Sequence, residues 1–363
     1  MKFVHFADLH LDTTFDSLNQ IENMPEQRRL EQRKALRKII EFVKEKQVEM
    51  LFIAGDLYEQ KYIRKSSIEY VNNLFKEIPN TQIFITPGNH DPYLQNSFYN
   101  TFKWNDNVII FKENIEKINY KNINIYGYGF TDYYCNDSNI EQIKIDNPEN
   151  INILITHGTL DGGSDGIREY NPIRKTKLKE IGFDYIALGH IHKPYYNEEK
   201  NQKIVYPGSP ISLGFDELGK HGIIYGEIEK NALKTEFIQI DDREYIETEL
   251  NITNMSSNEE IIEKIQELKL ETQNIYKIIL TGKRYFNINL DDIIKLINVK
   301  NIVKIKDHTK LGIDIDEILN QNDIRAIFVK KVLERKEKED LDEKIIEKTI
   351  EIGLEVLQWK LRT

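Results

Sequence analysis

Cysteine is almost absent from this 363-residue chain: Cys135 stands alone. That excludes an internal disulfide and a cysteine-rich zinc site, and it fits a reducing cytosol. Long apolar runs are also missing. None approaches the ~20 residues that span a bilayer, and "MKFVHFADLH" is broken by Asp8 and His10, unlike a secretory leader. A cytoplasmic protein with no membrane contact is expected. Positive charge is in deficit, with a net charge of −10. This argues against holding nucleic acid by bulk electrostatics, though not against a metal-dependent enzyme acting on phosphates, because bound dications would invert the local field. Repeats and low-complexity linkers are lacking as well. Residues that are 40% hydrophobic and 10% aromatic suffice for packed cores, and the length calls for more than one ordinary domain.

Up to about residue 240, short apolar strands alternate with helical patterns. Strands are predicted at 2–7, 49–55, 81–86, 122–130, 150–158, 183–190, 202–209 and 222–229, with helices at 25–46 and 67–78. Pro25 suits a first helical turn. Strands outnumber helices in the second half, which suggests two packed sheets flanked by helices. Residues 244–318 read as a small α+β module. From Asn322 the sequence is charged and helical, with Ile346, Ile350, Leu354, Leu357 and Leu361 at helical spacing.

Histidine is scarce too, with eight in all, yet five follow predicted strands: "FADLH" (His10), "GNHD" (His90), "ITHG" (His157) and "GHIH" (His190 and His192). Asp8, Asp56, Asn89 and Asp91 accompany them. Ligand sites form outside strand carboxyl ends. In an extended segment, residues two apart point the same way, so Asp8 and His10 can reach one ion, and His190 and His192 can face one site. Glycines at 55, 88, 158 and 189 allow backbone to pass close by. Oxygen and nitrogen ligands without sulfur suit Mn²⁺, Fe²⁺ or Zn²⁺. Each motif alone is commonplace, but three polar side chains after a buried strand, as in "GNHD", have no packing use. His5, inside the first strand, reads as a core histidine. His221 and His308 read as surface or turn residues.

The order D-x-H, GD, GNHD, H, GHxH resembles the calcineurin-like metallophosphoesterases. The "ADLHLD" and "YPGSPISLGFDELGKHG" segments (206–222 for the latter) are similar to the SbcD-type DNA repair exonucleases. The resemblance implies an α/β (α+β) fold, a four-layered sandwich of two sheets between helices over 1–243. It also implies a capping domain at 244–318 and C-terminal helices at 319–363 that dock, through 322–363, on an SbcC-like coiled-coil ATPase. By the same resemblance one ion is held by Asp8, His10, Asp56 and His192, and the other by Asp56, Asn89, His157 and His190. Two divalent ions, most suitably Mn²⁺ and about 4 Å apart, would activate water for in-line displacement at phosphorus. His90 would be the general acid, with Asp91 fixing its tautomer and orientation. Glu59 stands where many such nucleases carry a histidine; it is expected to orient His90 or reach the substrate. Lys61, Arg64, Lys65 and Arg168 are candidate phosphate contacts. A metal-dependent DNA exonuclease or endonuclease subunit for double-strand-break repair, working as a homodimer, is the expectation. "GDLYEQK" and "GNHD" differ from the protein-phosphatase patterns "GDxxDRG" and "GNHE". A small-molecule phosphodiesterase or pyrophosphatase, and a scaffold with a vestigial site, are the alternatives.

Overall fold

In the computed structural model the chain divides into two compact units, Met1–Tyr245 and Ile246–Thr363. All residues are described except 20, 22, 113, 137–138, 163–169, 198–201, 298, 313–314, 340–341 and 361–363. The stretches read as 244–318 and 319–363 fall almost entirely within the second unit.

The first unit opens with β1 (Lys2–Phe6), α1 (Met24–Lys46), β2 (Met50–Ala54), α2 (Lys65–Lys76) and β3 (Gln82–Thr86). Then come a single helical turn α3 (Phe98–Thr101), β4 (Val108–Ile110), β5 (Glu116–Tyr120), β6 (Ile123–Tyr128) and β7 (Ile151–His157). The two-residue strands β8 (Thr159–Leu160) and β9 (Pro172–Ile173) pair with each other, ahead of α4 (Lys175–Ile181) and β10 (Tyr185–Gly189). β11 (Ile204–Val205), β12 (Gly222–Glu229) and β13 (Ala232–Gln239) complete the unit. One sheet runs β13-β12-β1-β2-β3-β4 and a second runs β11-β10-β7-β6-β5.

The central strands are buried on both faces, which is why they read as continuous apolar runs. Alternate residues of β1 serve different cores. Phe3 joins Phe52, Phe84, Ile125 and Ile153 between the sheets. Val4 and Phe6 join Leu36, Ile39 and Val43 of α1 and Val71 and Phe75 of α2. Beyond the second sheet, Leu154 and Leu188 pack with Leu178 of α4. The layers therefore run helix, sheet, sheet, helix, as the sequence led us to expect. His5 is a core histidine, fully buried, with Nδ1 2.9 Å from the Tyr185 hydroxyl. His308 is exposed, but His221 is not a surface residue: it is buried, with Nδ1 2.9 Å from Ser209 Oγ.

The second unit contains β14 (Tyr245–Asn251), α5 (Asn258–Gln266), β15 (Ile275–Thr281), β16 (Lys283–Arg284), α6 (Leu290–Leu296), β17 (Ile302–Asp307) and β18 (Lys310–Leu311). Three helices follow: α7 (Ile315–Leu319), α8 (Ile324–Glu339) and α9 (Glu343–Lys360). β14, β15 and β17 form a sheet whose apolar face packs on Ile261, Ile265 and Ile293 of α5 and α6. The C-terminal stripe turns inward. Ile346, Ile350 and Leu354 of α9 are buried with Val329 of α8, so they close a helical hairpin and are not offered to a partner. Leu361 lies outside the described residues. A different set, Ile324, Ile327, Ile345, Ile352 and Val356, is exposed.

Candidate metal centre

The site forms where β1, β2, β3, β7 and β10 end. Asp8 and His10 are brought together, although not by an extended backbone. Both adopt left-handed φ, 55° and 48°, as do Asp56 at 52° and His190 at 104°. Such conformations cost ~1–3 kcal/mol each and persist where surroundings over-determine them. Here the Asp8 amide donates to Gly55 O at 3.1 Å and the His10 amide to Asp56 O at 2.9 Å. Gly88 can only be glycine, since a Cβ there would lie 2.3 Å from Asp56 Oδ1.

Among the described residues, three convergent groups result: Asp8, His10 and His192; His10, Asp56 and His90; Asp8, Asp56 and His157. Within each, one ligand atom per residue lies within 4.8 Å of the others. Asn89 joins them, its Oδ1 2.9 Å from His157 Nε2 and 3.2 Å from His190 Nδ1.

The proton arrangement shows whether cations fit. His157 Nδ1–H donates to Ala54 O at 2.9 Å, so its Nε2 faces two oxygens, Asn89 Oδ1 and, at 3.3 Å, Asp56 Oδ2. A neutral imidazole cannot satisfy two acceptors from a nitrogen that carries only a lone pair. Elsewhere, His10 Nδ1 is bound to Glu59 Oε1 at 2.7 Å and His192 Nδ1 lies 3.3 Å from Glu217 Oε2. Their Nε2 atoms then confront each other at 3.1 Å. Ring nitrogens oriented by carboxylate or carbonyl partners, with their other lone pairs converging, are the arrangement of metal-binding histidines. Divalent cations fit both places. Without them the site must carry protons instead: burial opposes charge on His157, but the adjacent Asp56 carboxylate outweighs it and holds the ring at about 9. Burial, helped by His157, pushes His190 down to about 3.

His90 stands on the open side, its side chain 46% exposed. Its amide donates to Asp56 Oδ1 at 2.8 Å, and Nδ1 donates to Glu59 Oε2 at 3.0 Å. Burial works against its charge, yet the Glu59 hydrogen bond and the Asp56 carboxylate raise its pKa to about 9. Asp91 does not orient this ring. It is fully buried and accepts from the amides of Asp56, Leu57 and Gly88, at 3.0, 2.7 and 2.7 Å, and from the Tyr99 hydroxyl at 2.6 Å. Following His90 directly in the turn, it faces inward and ties the 87–91 loop to the end of β2. Glu59 is the carboxylate that holds His90, and it holds His10 as well.

Lys61 and Arg64 are exposed, as is Lys65, which lies 3.7 Å from Glu69. Arg64 lines a polar groove of about 430 Å³ with Arg29, Arg33, Tyr62 and Ser67. Arg168 lies outside the described residues. Sequence reasoning missed Glu217, although it sits in the quoted 206–222 segment, and Asn171, whose amide donates to His157 O at 2.7 Å. It also missed Tyr170, whose ring stacks on His190.

A family model for calcineurin-like phosphoesterases matches residues 1–194. The chain is also similar to the uncharacterized metallophosphoesterase YhaO of Bacillus subtilis (strain 168), with 24% identity over 276 residues, 74% of this chain and 67% of the relative. No helix among the described residues is long and apolar enough to cross a membrane. The match spans every strand end that carries a candidate ligand, and the chain belongs to the calcineurin-like phosphoesterase family.

Proposed function

We propose that the chain is a metal-dependent phosphodiesterase acting on DNA, an SbcD-type nuclease subunit. The observation that carries phosphoester hydrolysis is the pairing of inward-facing imidazole lone pairs with an outward-facing, carboxylate-held His90. Asp8, His10, Asp56 and His192 would hold one divalent cation, and Asp56, Asn89, His157 and His190 a second, with Mn²⁺ suited to such oxygen and nitrogen donors. When bound, the pair would neutralise phosphoryl charge and make a nucleophile available at neutral pH. His90, kept protonated by Glu59, gives its Nε2 proton to the departing oxygen, and Glu59 fixes the tautomer through Nδ1. Asn171 and Ala54 hold His157 in place through its backbone and its Nδ1.

Two features support DNA over a small phosphodiester. Arg64 is exposed in a groove that it shares with Asp12, Tyr62 and two arginines already paired, Arg33 with Asp12 and Arg29 with Glu26, in a chain otherwise acidic. The second unit, with its helical hairpin, adds bulk that a small substrate does not require. The exposed Ile345, Ile352 and Val356 face of α9 replaces the buried stripe as the surface for a coiled-coil ATPase within 322–363. A homodimer is part of the same reading.

The test is Mn²⁺-dependent cleavage of end-labelled single-stranded and duplex DNA, with bis-p-nitrophenyl phosphate as a generic ester. His90→Asn should lower turnover by ~10²–10⁴-fold while bound Mn²⁺ is retained. Turnover of cyclic nucleotides with none of DNA would instead establish the small-molecule phosphodiesterase.

A further inference from the structure

The loop 206–221 joins β11 to β12 and is fastened to His192. Ser209 N–H donates to His192 O at 3.0 Å. Gly208, with φ 76°, permits the close approach, since a Cβ there would lie 2.6 Å from the same carbonyl oxygen. The loop then turns back, and Glu217 places Oε2 3.3 Å from His192 Nδ1.

Glu217 is itself held from within the loop. Leu213 N–H donates to its Oε1, and Ser209 Oγ donates to its Oε2 at 2.8 Å. His221 closes the ring, with Nε2 2.6 Å from Glu217 O and Nδ1 2.9 Å from Ser209 Oγ. Ser209, Glu217 and His221 are all buried. Burying a hydroxyl, a carboxylate and an imidazole is costly unless each is bonded, and apolar side chains would close the loop at lower cost. The network reaches the metal centre through His192. The second cation position has separate support, because His157 Nδ1 donates to Ala54 O at the end of β2.

We propose that Ser209 and His221 are positioning residues: through Glu217 they hold His192 with its proton on Nδ1 and its Nε2 lone pair aimed at one cation. The proposal rests on the assignment of His192 to one of two cations, and it adds that the 206–221 loop tunes that position alone. A carboxylate behind an imidazole fixes the tautomer and raises the ring's basicity as a ligand. The Ser209 hydroxyl fixes the carboxylate in turn. Without it Oε2 loses a donor, Glu217 can rotate away, and His192 can take the other tautomer, which presents a proton to the cation in place of a lone pair.

The experiment titrates the full chain with Mn²⁺ and reads free Mn²⁺ from its EPR signal, with thermal melting as the check on folding. The wild type should bind two Mn²⁺. Ser209→Ala should keep one at wild-type affinity and bind the other ~10–100-fold more weakly. Glu217→Gln, of nearly the same shape, should weaken the same ion at least as much. His192→Asn should lose that ion, and adding Ser209→Ala to it should change nothing further, because the hydroxyl then has no ligand to act through. A Ser209→Ala or Glu217→Gln titration that superimposes on the wild type would overturn the proposal. So would equal weakening of both ions, or a further loss in the double variant, since the loop would then only support the fold. The failures are separable. A wild-type chain that binds two Mn²⁺ without hydrolysing bis-p-nitrophenyl phosphate loses the phosphodiesterase reading while the titrations still decide the loop's role. One that binds fewer than two Mn²⁺ loses the cation assignment, and this proposal with it.

Discussion

Gly88→Ala tests whether the close approach of two loops creates the centre. A Cβ built there lies 2.3 Å from Asp56 Oδ1, 2.7 Å from Asp56 N and 2.9 Å from Asp56 Cγ. Ordinary contact begins at 3.4 Å, so the carboxylate or the loop must yield by about 1.1 Å (3.4 less 2.3). Neither is free to do so. Asp56 sits in the left-handed region, its amide is held by Asp91 Oδ1 at 3.0 Å, and its Oδ1 already accepts from the His90 amide. Overpacking of this kind costs ~1–3 kcal/mol. A displacement of ~1 Å in a reacting constellation costs ~10²-fold in rate. Asp56 belongs to two of the three ligand groups, so the loss should fall on both metals. Bound Mn²⁺ after dialysis, thermal melting and turnover of bis-p-nitrophenyl phosphate would each be compared with Gly214→Ala, where no atom lies within 4 Å of the new methyl. Full Mn²⁺ occupancy and wild-type turnover in Gly88→Ala would refute the reasoning.

Glu59→Gln replaces two acceptor oxygens by one, leaving either His10 Nδ1–H or His90 Nδ1–H against an amide donor. A loss of ~10–100-fold in metal affinity or turnover is expected; titration with Mn²⁺ and steady-state kinetics would show it, and no change in either would count against the clamp. His5 predicts a pH dependence of stability. Burial holds its pKa at about 3 against an ordinary value of 6.5, so below pH 6.5 the unfolded chain takes up a proton that the folded one refuses. Stability therefore falls as pH drops from 6.5 towards 3, and at pH 5 the loss is ~2 kcal/mol. Urea unfolding at pH 7 and pH 5 should show that loss in the wild type relative to His5→Gln; parallel behaviour would refute it.

The sequence shows β1, β2, β3, β7 and β10 plainly because strands sandwiched between two layers are apolar on both sides. β5 and β13 escape for the opposite reason: they lie at sheet edges, and "EKINY" and "ALKTEFIQ" interleave exposed charge with half-buried positions. The "GNHD" motif is legible because polar groups after a buried strand need an explanation. What adjacency could not convey was direction. Asp91 follows His90 yet faces backbone amides, while Glu59, 31 positions earlier, reaches the ring. The spacing of Asp8 and His10 suggested the right neighbours through the wrong conformation, because left-handed φ at Asp and His leaves no mark in the sequence. On α9 two apolar stripes share one helical period, and spacing alone does not tell Ile346, Ile350 and Leu354, which close the hairpin, from the exposed Ile345, Ile352 and Val356.

Charge explains why the centre draws on both sheets. Asp8, His10, Asp56 and Asn89 come from the ends of β1, β2 and β3, and His157, His190 and His192 from the ends of β7 and β10. Asp8 and Asp56 are buried carboxylates, and Glu59 and Glu217 add two more behind His10 and His192. Two divalent cations would offset this local excess of negative charge. With cations in place every ligating imidazole can be neutral, and its Nε2 or Nδ1 lone pair finds a partner. Without them His157 and His192 take up protons, because their carboxylate neighbours raise both to about 9 despite burial. Asp56 faces His157 of the second sheet and the ring of His10 from the first, and Asp8 accepts from the His190 amide at 2.9 Å, so no single sheet could present the set. The seam between the sheets is where lone pairs from both can converge on one pair of ions.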